Sequence, residues 1–142
     1  MATRTPLSIE LSSEPALTVS QELVKASQVS YLMVADKHLK YPKGSSRVAY
    51  IGTTYTGFWR LTSSTAERAN RILRQRDVTS FVVLPVHAQP RSGLRTWELL
   101  EKSLLSIFRE RYGCLPRCNK RGGTLSKHFD RDELLSVIEQ FE

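Results

Sequence analysis

The sequence predicts an α+β fold, with a three-stranded antiparallel sheet at its centre and helices around it. Three observations carry this expectation. Residues 29–34 (Val-Ser-Tyr-Leu-Met-Val) and 47–52 (Arg-Val-Ala-Tyr-Ile-Gly) are runs of strand formers placed to pair as a hairpin. A third run, Thr-Ser-Phe-Val-Val-Leu-Pro at residues 79–85, follows an intervening helical pattern. Residues 94–112 then set Trp97, Leu100, Leu104, Leu105 and Phe108 on one helical stripe.

Taken in order, residues 1–28 form an N-terminal extension. Within it Leu7-Ser8-Ile9-Glu10-Leu11 alternates like a short strand, and residues 18–26 read as a short helix behind Pro15. After the first hairpin strand, residues 37–46 hold Pro42, Gly44 and two serines, and read as a basic loop that makes the connection long. Ser64 and Glu67 fit a capping box, each side chain satisfying the other's orphan amide. The next helix is therefore expected to start there and to bury Ala66, Ala69, Ile72 and Leu73. Pro85 ends the third strand, residues 87–93 form a loop, and Gly113 stops the long helix. Residues 114–127 read as a second basic loop. Asp130-x-x-Glu133 caps a last helix whose Leu134, Val137, Ile138 and Phe141 pack on the core or face a partner, packing being the simpler reading.

A chain of 142 residues is expected to fold as one domain, burying roughly two thirds of its unfolded surface without disulfides or metal. Two cysteines, Cys114 and Cys118, are too few for a disulfide framework, and their spacing to His128 leaves a structural zinc site without a fourth ligand. No apolar run is long enough to span a membrane, and the N-terminus lacks the pattern of a secretory signal, so a cytoplasmic protein is expected. Charge is the informative part of the composition. The formal net charge is +7, and the excess is clustered. From Lys37 to Arg76 nine basic side chains face one acidic, and from Lys102 to Arg131 eight face two. Such clustering points to a nucleic-acid partner, held largely through its phosphates.

The pattern resembles the GIY-YIG endonuclease family, including the nuclease domain of UvrC-type excision-repair subunits and the homing and restriction enzymes. The first motif is degenerate, Val29-Ser30-Tyr31, with its tyrosine standing where the family has one, and the second is intact as Tyr50-Ile51-Gly52. Arg60 stands ten residues after the second tyrosine, Glu101-Lys102-Ser103-Leu104-Leu105 is similar to the family's metal-binding helix motif, and Asn119 to its terminal asparagine. The similarity covers residues 29–121, leaving residues 122–142 as a C-terminal basic loop and amphipathic helix. Four features depart from the family: the connection between the two tyrosine motifs is several residues longer, Ser64 stands where many members have tyrosine or histidine, Thr53 where some have lysine, and the spacing from Glu101 to Asn119 is longer.

The resemblance implies a metal-dependent endonuclease acting on nucleic acid, DNA ahead of RNA, with Tyr31, Tyr50, Arg60, Glu101 and Asn119 at the site. Glu101 would hold a single Mg²⁺ or Mn²⁺, since a hard cation suits carboxylate oxygen and keeps its waters. Tyr50 would activate water beside Tyr31. Read without the motif, both are strand aromatics with one wet end. Arg60 offers a permanently charged fork for phosphate, or is a solvated helix arginine. Asn119 would position the loop and the phosphate, or is simply a turn residue. Ser64 reads as a helix cap rather than a catalyst. Lys37, Lys40, Lys43, Arg47, Arg117, Lys120 and Arg121 are the candidate phosphate-backbone contacts. The alternative is a nucleic-acid-binding module that keeps the fold without the chemistry. Either version leaves the C-terminal helix as a surface for a partner protein or a homodimer.

Overall fold

The computed structural model of the protein describes residues 6–15, 28–54 and 58–142, with residues 58–60 described by backbone alone. The elements are β1 (Val29–Tyr41), β2 (Gly44–Thr54), α1 (Phe58–Leu73), β3 (Phe81–Val86), α2 (Thr96–Tyr112) and α3 (Arg131–Glu139). The three strands form one sheet of order β2-β1-β3, antiparallel throughout. The fold is α+β, with β1 in the middle and buried on both faces along residues 29–35.

The basic loop expected at residues 37–46 is a continuation of the hairpin. β1 and β2 run on to pair Tyr41 with Gly44, so the connection is a two-residue turn at Pro42-Lys43. The alternation at the arm explains this: Leu39 and Tyr41 are buried while His38 and Lys40 are exposed. Tyr41 donates to the carbonyl of Val48 and lies edge-on to Phe108 of α2, with ring centroids 5.1 Å apart. At the tip, the amide of Lys43 donates to the carbonyl of Tyr112. The arm is thus held by α2, a long-range packing gain that outweighs the local turn signals. The register breaks twice. Between Met33 and Val34 the pairing skips Ala49, a bulge on β2 that puts Ala49 outside the ladder.

Helix α1 starts at Phe58 rather than at Ser64, so the capping box does not form. Leu61, buried on the same stripe as Ile72 but eleven residues earlier, extends the helix toward its N-terminus. β3 retains Pro85 inside the strand, which an edge position allows because its missing N–H need not serve a ladder. α3 is capped as expected: the carboxylate of Asp130 accepts from the amide of Asp132. Its Leu134 and Ile138 join the core against α2. Residues 7–11 form no strand, and Leu7, Ile9 and Leu11 are exposed. The helix expected over residues 18–26 lies outside the described residues. Among the described residues no helix is long and apolar enough to cross a membrane.

Candidate active site

The site is built where β1, β2 and α1 meet. Cross-strand pairing puts Tyr31 opposite Gly52 and Met33 opposite Tyr50, so the two tyrosines share one face of the sheet on a diagonal. Their ring centroids are 6.1 Å apart. Gly52 makes that approach possible. A Cβ there would lie 2.6 Å from Tyr31 Oη and 2.6 Å from Tyr50 Cε1, inside any permissible contact. The glycine of the Tyr-Ile-Gly motif is therefore a steric requirement of the tyrosine pair.

Helix α1 presents Ser64 and Arg68 to the pair, on the stripe that also carries Leu61 and Ile72. The guanidinium carbon of Arg68 stands 4.1 Å from the centroid of the Tyr50 ring. Ser64 contacts the Tyr31 phenol, so this residue belongs to the site and not to the helix start. Sequence reasoning missed Arg68. Its signal was its spacing, four residues after Ser64 and four before Ile72, which puts it on their face of the helix.

Electrostatics tie the group together. Burial pushes the Tyr31 phenol up, against opposing contacts from Ser64, Arg68 and Tyr50. Tyr50 is pushed up to about 12 by burial and by Tyr31, with Arg68 working the other way. The two phenols are coupled: Tyr50 favours ionisation of Tyr31, whereas Tyr31 disfavours that of Tyr50. Tyr31 is fully buried whereas Tyr50 is half-buried, so Tyr50 is the phenol that solvent reaches. Glu101, on α2, acts on both phenols. Burial raises its carboxyl above the ordinary range, a nearby Lys102 opposing.

Among the described residues the Glu101 carboxylate makes no hydrogen bond or ion pair, nor do three His, Cys, Asp or Glu side chains cluster into a metal site. A lone, partly desolvated carboxylate fits a cation that keeps most of its waters, as Mg²⁺ does; it does not fit a cation needing an all-protein cage.

The remaining residues fall elsewhere. Arg60 lies in the first turn of α1, and its side chain is outside the described residues. Both polar atoms of the Asn119 amide are bound to β2: Oδ1 accepts from the Ile51 amide at 2.9 Å and Nδ2 donates to the Ile51 carbonyl at 2.8 Å. Together with the bond from the Cys118 amide to the bulged Ala49 carbonyl, this fastens the 114–121 loop to the free edge of β2. Thr53 donates to the carbonyl of Val29.

The seven basic candidates divide. Arg47 is drawn inward, its guanidinium 5.7 Å from the Phe141 ring and its amide bonded to the Phe141 carbonyl. Lys43 sits in the hairpin turn, while Lys37, Lys120 and Arg121 are exposed. Lys40 and Arg117 meet, the Arg117 guanidinium donating to the Lys40 carbonyl. No protein-family model matches this chain, and no curated protein or solved structure matches it.

Proposed function

We propose that the protein is a GIY-YIG-type endonuclease, hydrolysing nucleic-acid phosphodiester bonds, DNA ahead of RNA, with one Mg²⁺ or Mn²⁺ at Glu101. The observation that supports this reading best is that the tyrosine pair packed at Gly52 shares one electrostatic neighbourhood with Arg68 and with Glu101, whose carboxylate has no hydrogen bond or ion pair among the described residues. These are residues far apart in the chain whose chemistry suits a phosphate and a water.

In this reading Arg68 binds the scissile phosphate and offsets the charge that grows on it. Tyr50, the phenol that solvent reaches, offers its oxygen to orient the attacking water. With its phenol held near 12, Tyr50 acts by alignment rather than as a free phenolate base. Tyr31 and Ser64 fix the direction of that phenol. Glu101 holds the cation, which when bound stabilises charge on the leaving oxygen.

The same elevated phenols favour the alternative, a binding module of this fold without cleavage. The test is incubation of the purified protein with supercoiled plasmid and a branched oligonucleotide, in Mg²⁺, Mn²⁺ or EDTA, beside Glu101→Gln and Arg68→Ala. Metal-dependent nicking that is lost in Glu101→Gln and falls about 10²-fold or more in Arg68→Ala is expected. Salt-sensitive binding with no nicking in either metal would leave the binding module.

A further inference from the structure

A second basic surface lies at the other end of the hairpin. A shallow groove of about 560 Å³ is lined by Lys40 and Pro42 of the hairpin, Arg109 of α2 and its C-cap Gly113, and Arg117 and Asn119 of the following loop. No Asp or Glu lines it among the described residues. Among the described residues Arg109 and Arg117 make no ion pair, whereas Arg111 on α2 is bound by Glu139 and Glu142. Arg117 is also fixed in place. Its guanidinium donates to the Lys40 carbonyl and lies 5.7 Å from the Tyr41 ring, and its amide donates to the Tyr41 hydroxyl. A fork held this way loses little conformational freedom on meeting an anion.

The groove opens at the C-terminal end of α2, where the helix dipole disfavours anions. Two of the carbonyls responsible are already bonded, Tyr112 by the Lys43 amide and Arg109 by the Gly113 amide, so the three side-chain cations dominate. The groove is continuous with the strand that carries Tyr50, because Asn119 lines it and clamps the adjacent Ile51.

We infer that this groove holds phosphates of a DNA backbone away from the scissile bond, through Lys40, Arg109 and Arg117. The inference rests on the nucleic-acid reading above and assigns one surface where composition alone offered seven scattered cations. Contacts of this kind carry no sequence information, and they add to affinity through counterion release.

The test is binding of a labelled DNA duplex in EDTA over a series of salt concentrations. It compares wild type, Lys40→Ala/Arg109→Ala, the charge-keeping Lys40→Arg/Arg109→Lys, and Arg74→Ala/Arg76→Ala at the exposed end of α1. The alanine pair is expected to lower the slope of log affinity against log salt by roughly two and to weaken binding about tenfold or more. The effect should be equal across duplex sequences, with the charge-keeping pair and the α1 pair close to wild type. An unchanged slope in the alanine pair, or an equal loss in the α1 pair, would overturn the groove. Plasmid nicking alongside an unchanged slope removes the groove and leaves the nuclease. The expected slope change without nicking in any metal keeps the groove and removes the nuclease.

Discussion

Replacing Gly52 with alanine would put a methyl carbon against two aromatic rings, one of them fully buried and unable to retreat. The expected cost is about 1–3 kcal/mol by denaturant unfolding, as for other overpacked sites, together with loss of the Tyr31–Tyr50 contact. An unchanged midpoint would mean that the tyrosines are free to separate. Ionisation offers a second check. At a pH of about 10 a free tyrosine is half ionised, whereas Tyr50 should stay neutral because burial holds it near 12. The Cζ chemical shift of labelled tyrosine, assigned with Tyr50→Phe, reports this directly. For Glu101 the sign runs the other way from a salt-bridged carboxylate. Burial raises its folded value above the ordinary 4.5, so the folded chain holds the proton more tightly than the unfolded one. Its favourable contribution is complete below the unfolded value and is lost as pH rises through the folded one. In EDTA, Glu101→Gln should therefore melt above wild type at neutral pH, and the gap should close as the carboxyl protonates. Added Mg²⁺ should raise the wild-type midpoint and leave the variant unmoved. Equal midpoints in EDTA at all pH values would show a carboxylate as well solvated as a surface one.

Among the elements, the hairpin arm and the 114–121 loop set the geometry of β2. Asn119 does for the strand edge what a neighbouring strand would do, supplying one donor and one acceptor to Ile51. Asn119→Ala should cost about 2 kcal/mol in denaturant unfolding, because it leaves two backbone groups to find water at a half-buried edge. Asn119→Asp keeps the acceptor and loses the donor, so it should fall between the two; an alanine variant as stable as wild type would mean the loop is held by Cys118 alone. These features also show what was hard to read. The strands at Tyr31 and Tyr50, the long helix and its Gly113 stop were legible from periodicity and from a glycine taking up positive φ, here 89°. The hairpin arm was not, since Pro42 and Gly44 mark a turn without saying how far the flanking strands run. The start of α1 was misread because Ser64 and Glu67 have capping-box spacing in a helix interior as well as at its end. Only the burial of Leu61 separates the two cases.

At the scale of the whole molecule, the C-terminal helix closes the fold. Phe141 accepts from the Arg47 amide, Glu142 accepts from the Tyr112 hydroxyl, and Arg111 binds Glu139 and Glu142, so α3 joins the ends of the hairpin and of α2. Deleting residues 131–142 should uncover the core that Leu134 and Ile138 fill and abolish the cooperative unfolding transition seen by circular dichroism. A truncated chain that still unfolded cooperatively would show α3 to be an appendage. The sequence by itself determined the α+β class, the positions of the two tyrosines on paired strands, the basic character of the surface and the capped last helix. Each of these rests on local periodicity, on charge or on a short capping pattern. Tertiary structure alone decided that Arg68 and Ser64 stand beside the tyrosine pair, that Asn119 is spent on Ile51, and that Arg109 joins Lys40 and Arg117 in one groove. Those juxtapositions depend on how helices and loops pack on the sheet, and packing is fixed by volumes and hydrogen bonds between residues distant in the chain, which no local pattern records.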